Sequence, residues 1–198
     1  ILYRENTGGQ WSDTQTFTDA LPAGGAQRKS PRVVSDGSGI VLFWQEMANQ
    51  GGTGKWVWKY NRYSNGSWEL DAPLSIPNDG NAAPRIGDDL FVFTRKVTSG
   101  GVETTRLCFT WSRRKWLTGG GRGGSEIAFR EKTGTDLASG WGSIRVVPHA
   151  PSSFHYRDTQ PAAIADSDGS VQLFWSSDRS GARALWSLDI ADLSDTAT

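Results

Sequence analysis

The sequence predicts an all-β protein built from repeated antiparallel meanders. Short runs of apolar and β-branched residues are bounded throughout the 198 residues by turn pairs such as Asp-Gly, Asn-Gly and Ser-Gly, which is the pattern of consecutive hairpins. A pattern that opens with proline and continues through a turn into an apolar strand recurs at Pro31, Pro84 and Pro161. No segment of comparable length shows the apolar spacing of a helix.

The stretch over 160–190 shows the pattern most clearly. It predicts three strands joined by two tight turns, because Asp168-Gly169 and the segment 178–181 carry turn residues between apolar runs. The predicted strands cover 162–166, 171–176 and 183–189.

The earlier part of the chain predicts a strand pair and then one complete four-stranded unit. In the third strand of that unit Trp56, Trp58 and Tyr60 alternate with polar residues, so they share one face and are expected to form a core layer. A polar, Gly-rich connection over 21–30 precedes the unit. The predicted strands are 1–6, 11–17, 31–35, 40–46, 56–63 and 68–76.

The next unit begins at Pro84 and leaves two interpretations open. Its second strand is predicted at 90–97 and its third at 106–113, and Trp116 could open a fourth. The segment 126–132 (EIAFREK) resembles the opening of the chain, and a Trp-led strand at 141–147 follows it. Residues 103–132 therefore belong either to a long hairpin insertion with the loop TGGGRGGS or to a degenerate unit. We favour the insertion, because missing inner strands would leave a hole in the core.

The size of the units predicts a β-propeller. Four-stranded meanders of about 45 to 50 residues are the period of propeller blades, and roughly three and a half to four blades are visible. A partial propeller would expose long sheet edges, so we expect a segment of a larger propeller or assembly. The predicted parts are a strand pair over 1–22, a blade over 30–78, a blade with the insertion over 82–148, a blade over 158–190 and a tail over 191–198.

Two stretches resemble known propeller repeats. The segment from Phe174 to Ile190 (FWSSDRSGARALWSLDI) resembles the repeat of TolB-like propellers. The unit SPRVVSDGSGIVLFWQE with WVWKYNRYSNGSWE is similar to repeats of lectin-like and sialidase-like bacterial propellers, which also occur in toxin and phage-tail-like particle proteins. Ala165 to Trp175 only approximates the sialidase Asp-box. The resemblance therefore implies the fold and carries over no catalytic residue.

Composition excludes several classes of function. The 21 basic residues balance 21 acidic ones, which removes the usual electrostatic reason to expect nucleic acid. No apolar run reaches the length of a membrane span, and no secretory signal opens the chain. Ile1 in place of a methionine indicates a removed leader or a segment of a longer protein. We expect an extracellular or particle-associated setting, although the compartment stays open.

Cysteine and histidine usage argues against metals and cofactors. Cys108 stands alone, so neither an internal disulfide nor a cysteine metal cluster is expected, and a buried, inert thiol is the simplest interpretation. His149 and His155 flank a Pro-Ser-rich loop without a carboxylate at supporting spacing. We therefore predict no metal and no cofactor.

Arg32 and Arg85 are the first candidate ligand-binding residues. Each follows the proline that opens an innermost strand, so the two guanidinium groups could clamp one carboxylate from neighbouring blades. The alternative is that they pair with local acids such as Asp36 and Asp88. The third unit has Ala162 at this place.

Aromatic residues near turns are the second group of candidates. Trp11, Trp68 and Trp141 each begin an outer strand after a Gly-containing turn, where an exposed ring could stack on a sugar. The alternative is packing between blades. Arg122 makes the Gly-rich loop over 118–125 locally basic and suggests a contact loop.

The acids give no catalytic pair. Glu46 and Asp178 follow equivalent strands but enter turns, and Asp36, Asp166 and Asp168 are expected to cap their own backbone. The sequence therefore predicts a non-catalytic propeller module that recognises protein or glycan within a larger extracellular or tail-like particle. The alternatives are part of a sialidase-like or other glycoside hydrolase and a purely structural scaffold.

Overall fold

The computed structural model describes residues 2–4, 6–16, 28–48, 55–69, 74–76, 89–116, 122–134, 136–147 and 156–190. Every regular element in these ranges is a strand, which confirms the all-β prediction. Two small antiparallel strand pairs come first, and three larger meander sheets follow. The first pairs are made by β1 (Leu2–Tyr3) with β4 (Gln15–Thr16) and by β2 (Asn6–Thr7) with β3 (Gln10–Trp11).

The first sheet contains the complete unit predicted over 31–76. Its strands are antiparallel neighbours in chain order, and the predicted last strand is divided into two short ones that both pair with the third. Trp58 and Tyr60 are 4% and 1% exposed, as expected for a core layer. The strands are β5 (Arg28–Ser35), β6 (Ile40–Ala48), β7 (Lys55–Ser64), β8 (Ser67–Trp68) and β9 (Leu74–Ser75).

The second sheet pairs the described parts of the segment 103–132, which lie in β11 (Val102–Trp116) and β12 (Arg122–Lys132), as adjacent antiparallel strands. The order across the sheet is β10 (Phe91–Ser99), β11, β12 and β13 (Arg145–Val146). The strand β10 was expected to be the second of its unit and stands at the edge of the described sheet. The strand expected before it, at Pro84, lies outside the described residues.

The third sheet repeats the start of the first. Its strands are β14 (Asp158–Ala165), β15 (Val171–Ser177) and β16 (Ala184–Ile190). Ser30 and Gln160, directly before the two prolines, both have a φ of 56°, and the strand register shifts at both places. The proline pattern in the sequence is therefore a repeated β-bulge in the structure.

The Asp-Gly turns are capped as predicted. The Asp36 carboxylate accepts the backbone N–H groups of Ser38 and Gly39, each at 3.0 Å. The Asp168 carboxylate accepts the N–H of Ser170 at 2.8 Å. These side chains replace backbone acceptors in the tight turns.

Two apolar layers hold the three sheets face to face. We call the face of a sheet that is turned toward the next sheet in the chain its forward face, and the opposite face its rear face. The forward face of the first sheet packs on the rear face of the second, where the Phe43 and Phe109 rings meet edge to face at 5.3 Å. The forward face of the second sheet packs on the rear face of the third, where Cys108 and Phe129 share a layer with Leu173 and Trp175.

The result is a stack of three successive meander sheets. Each apolar layer joins sheets that follow one another in the chain, and neither joins the first sheet to the third. The described residues contain no closed sheet. Within the described ranges there is also no long apolar helix of the kind that crosses a membrane.

Candidate functional site

A groove of about 680 Å³ opens where the contact between the second and third sheets ends. Its floor is the forward face of the second sheet, beyond the part that the third sheet covers. The turn at Asp168-Gly169, between β14 and β15, forms one side, and residues 140–143 also line it. Its volume lies within the range of small-ligand sites.

The hairpin of β10 and β11 places two arginines side by side on the groove floor. Arg95 and Arg106 are direct cross-strand partners, and like charges in that position repel each other. Glu131, on β12, lies between them: its Oε2 accepts from Arg95 Nη2 at 2.7 Å and its Oε1 from Arg106 Nη1 at 2.8 Å. One carboxylate therefore holds both guanidinium groups.

A third arginine reaches the same groove from β13. Arg145 pairs with Phe129 in the sheet, which places its side chain on the forward face. Its Nη1 atom is buried and finds no acceptor among the described residues, and the same holds for Nε of Arg95, whose side chain is 8% exposed. A buried donor without a partner costs about 1 to 3 kcal/mol, and more when it is charged. An anion in the groove could satisfy both donors.

Gly169 fixes the third sheet close to the groove floor. Its carbonyl accepts from Arg95 Nη1 at 2.9 Å. A Cβ atom at this position would lie 2.2 Å from the carbonyl oxygen of Lys96, and the φ of +86° is in the left-handed region. Only glycine fits both requirements.

The groove is locally basic although the whole chain is balanced. Its charged lining residues are the basic Arg95, Lys96, Arg106 and Arg145 and the acidic Glu131 and Asp168. Lys96 is paired with Glu103 at 2.8 Å, and Arg95 and Arg106 share Glu131, so the three arginines and Glu131 together carry a net positive charge. Hydrogen bonds from Ser170 keep the pKa of Asp168 below its ordinary value, so this turn carboxylate is ionised at neutral pH.

The lone cysteine lies next to this cluster but cannot react in it. Cys108 is the cross-strand partner of Glu131 and is fully buried, and burial raises the pKa of its thiol. The buried position predicted from the sequence is therefore confirmed. In the part of the chain that the structure describes, no three His, Cys, Asp or Glu side chains gather to hold a metal ion.

Of the predicted arginine pair, the structure describes Arg32 only. Arg32 donates from Nε to the carbonyl oxygen of Leu90 at 3.1 Å and from Nη1 to that of Pro31 at 2.9 Å. It therefore ties the first sheet to the segment that enters the second. Asp36, the acid proposed as its alternative partner, instead binds Arg62 at 2.7 Å. Arg85 lies outside the described residues.

The predicted tryptophans take three different environments. Trp11, on β3, is 63% exposed, and Trp68 packs against Tyr63 with ring centroids 5.1 Å apart. Trp141 lines the groove and also packs against Tyr60 and Phe109 at 5.6 and 5.1 Å. Of these three, Trp141 joins the candidate site, and its other contacts are those of a core residue.

The remaining candidates have structural partners or lie outside the described residues. Arg122 pairs with Trp116 at the end of the long hairpin, and nothing is described of its side chain. Glu46 binds Arg28 at 2.9 Å, and the Asp178 carboxylate accepts the N–H of Arg157 at 2.6 Å. His149 and His155 lie outside the described residues.

Sequence reasoning missed Arg95, Arg106, Glu131 and Arg145, although one signal was present. The pair Gly100-Gly101 is a hairpin turn, and counting outward from it places Arg95 opposite Arg106. Two like charges facing each other on the face that also carries Phe93 and Cys108 indicate an acidic partner on the next strand. Arg145 lies within the strand predicted at 141–147, of which β13 is the part formed here, but no pattern related it to Arg95.

Comparisons with protein-family models, with curated proteins and with solved structures gave no match for this chain. Its function is therefore inferred from the geometry of the groove.

Proposed function

We propose that this protein is a non-catalytic recognition module whose groove binds a glycan that carries carboxylate groups. The supporting observation is the pair of buried guanidinium donors, Arg95 Nε and Arg145 Nη1, which find no acceptor among the described residues and belong to arginines that line the groove. A ligand carboxylate is planar and accepts two donors at once, as guanidinium groups prefer.

The arrangement of the floor favours a ligand carboxylate over a bare cation or a neutral sugar. Glu131 already accepts from Arg95 and Arg106, so its negative charge is matched. Arg145 adds a positive charge, and its Nη1 atom has no hydrogen-bond acceptor among the described residues. The ligand is therefore expected to bring the missing negative charge.

The other lining groups suit a sugar. The hydroxyl groups of Thr133 and Ser143 offer partners for ligand hydroxyls. A protein side chain could supply a carboxylate too, but a groove of about 680 Å³ suits a short oligosaccharide better than a flat protein surface.

The same residues make a hydrolytic role the weaker alternative. A glycosidase needs one carboxyl group that stays protonated near neutral pH beside a second, ionised one. In the groove, Glu131 is bound to two arginines, and hydrogen bonds lower the pKa of Asp168. The environment of Asp168 therefore does not favour a proton donor, and both oxygens of Glu131 are already bound by arginines.

The stacked sheets support a propeller as the larger architecture, and we propose that they are successive blades of one. The repeated bulge before Pro31 and Pro161 and the face-to-face stacking of meanders in chain order are what blades require. The resemblance to repeats of toxin and tail-like particle proteins suggests a place in a larger extracellular assembly.

A glycan array tests the function directly. Wild-type protein should bind oligosaccharides that contain carboxylated sugars and ignore their neutral counterparts. Replacement of Arg145 by Gln should weaken this binding at least about tenfold, because a charge-assisted hydrogen bond contributes about 1.5 to 3 kcal/mol.

The matched control is Arg157→Gln, an exposed arginine at the start of β14 and outside the groove lining. It should bind like wild type. Binding of neutral glycans only, no glycan binding at all, or equal losses in the two variants would contradict the proposal. Release of reducing sugar from a bound glycan would instead support the hydrolase alternative.

A further inference from the structure

The first and third sheets correspond residue by residue around their shared bulge. Arg32 pairs with Phe43 in the first sheet, as Ala162 pairs with Phe174 in the third. Continuing along the strands, Val34 corresponds to Ile164. One strand further across the sheet, Trp58 pairs with Gln45 as Leu185 pairs with Ser176, so Trp58 and Leu185 correspond.

These corresponding residues differ sharply in burial. Val34 is partly buried and Trp58 is 4% exposed, because the forward face of the first sheet packs on the second sheet. Ile164 and Leu185, at corresponding positions of the third sheet, are 57% and 77% exposed. The third sheet therefore carries a forward face of the same kind, and nothing described covers it.

The opposite end of the stack has a complementary open surface. On the rear face of the first sheet Val33 and Ile40 are 64% and 43% exposed. Their counterparts in the third sheet, Ala163 and Val171, are 8% and 1% exposed because they pack on the second sheet. Trp44 on the same rear face is already buried, so the open part is the side formed by β5 and the start of β6.

We propose that the forward face of the third sheet docks on the rear face of the first sheet in a second copy of this chain. Both faces of this contact have a precedent inside the chain. The forward face of the first sheet packs on one side of the second sheet, and the rear face of the third sheet packs on its other side. A second copy is thus an occupant that presents the required surface. This inference is independent of the groove and of its ligand.

The contact is heterologous, because two different faces meet. Head-to-tail contacts of this kind close into a ring or continue as a filament, according to the rotation between copies. The exposed apolar residues at the two ends, Ile164 and Leu185 at one and Val33 and Ile40 at the other, become buried in every copy that has two neighbours.

Cross-linking of a mixture of two variants, each with one introduced cysteine, tests the orientation of the two copies. Ile164→Cys and Val33→Cys place thiols on the first strands of the two sheets, β14 and β5, and the native thiol of Cys108 is fully buried. A short bismaleimide should link the two variants when they are mixed and should link neither variant to itself. Cross-linking within a single variant, or none in the mixture, would overturn the proposal.

Sedimentation velocity tests the apolar contact itself. The full chain should self-associate with a concentration-dependent sedimentation coefficient, and Leu185→Lys should raise the dissociation constant about tenfold or more. Val102→Lys is the matched control, since Val102 is 62% exposed at the tip of the second sheet and should leave association unchanged. A wild-type chain that stays monomeric at every concentration, or a control that dissociates equally, would overturn the proposal.

Discussion

Gly169 is the residue on which the spacing between the groove floor and the third sheet depends. Replacing it with Ala adds a Cβ atom 2.2 Å from the Lys96 carbonyl oxygen and forces a side chain into a φ of +86°. We expect a loss of about 3 kcal/mol in the free energy of unfolding, measured by urea denaturation, because both backbone strain and a steric clash contribute.

Gly181→Ala separates these two contributions. Gly181 has a nearly identical φ of +85°, but no atom lies within 4 Å of the position that a Cβ atom would occupy there. The Gly181→Ala variant should therefore lose only the contribution of backbone strain to the free energy of unfolding, about 1 kcal/mol. Equal losses at the two glycines would mean that the close approach of the third sheet to Lys96 does not exist.

The environment of Asp36 makes the free energy of unfolding depend on pH at low pH. Burial opposes its ionisation, but hydrogen bonds from Ser38 and the charge of Arg62 outweigh burial and hold its pKa below the ordinary value of 3.8. A carboxyl group with a lowered folded-state pKa contributes stability above the unfolded value. That contribution is lost as the pH falls below 3.8 and through the folded-state pKa.

Asp36→Asn should therefore lower the free energy of unfolding by about 2 kcal/mol at pH 7. It should also show a shallower loss of stability than wild type below about pH 4. Thermal unfolding across this pH range measures both effects. Asp13→Asn, at an exposed position, is the control and should follow wild type, and a variant of Asp36 that does the same would refute the role of the Arg62 pair.

At the scale of elements, the β11 strand contributes side chains to both apolar layers. Its alternate residues face opposite ways, so Phe109 packs toward the first sheet and Cys108 toward the third. Phe109 is 1% exposed and contacts Phe43 and Trp141. Phe109→Ala should cost about 4 kcal/mol in urea denaturation.

Val102→Ala on the same strand is the matched substitution, because Val102 is exposed. Its effect should stay within about 0.5 kcal/mol. If Phe109→Ala cost no more than that, the aromatic layer would not be what holds the first and second sheets together.

Most elements could be predicted from the sequence because local chemistry specifies them. Turn residues and apolar alternation located the hairpins of the first and third sheets, and the buried positions of Trp58 and Tyr60 follow from period-two alternation. The strand predicted before β10, at Pro84, lies outside the described residues, so the place of β10 as the second strand of its unit stays a prediction.

The candidate site was the less predictable part, because it arises from contacts between distant segments. Arg95 and Arg106 are brought together by one hairpin, but the groove also needs Arg145 from β13 and Gly169 from the third sheet. No spacing in the chain relates those four positions. The predicted Arg32 instead bonds backbone carbonyl oxygens, because a guanidinium group placed at a sheet boundary finds acceptors there.

At the scale of the whole molecule, the groove depends on the way the stack is built. The groove exists because the third sheet covers only part of the forward face of the second, and the uncovered part carries the arginines. A single sheet would present the same arginines to solvent, where water screens their charge. Stacking of the third sheet on the second therefore places these charged side chains in a groove.

The most direct measurement of the carboxylate proposal is isothermal titration of the acidic oligosaccharide that gives the strongest array signal and of its methyl ester. The two ligands have the same sugars and differ in the charge of the carboxyl group. We predict that the acid binds with an affinity that falls as salt rises and that the ester binds at least about tenfold more weakly. Equal affinity for acid and ester would contradict the assignment of the arginine groove.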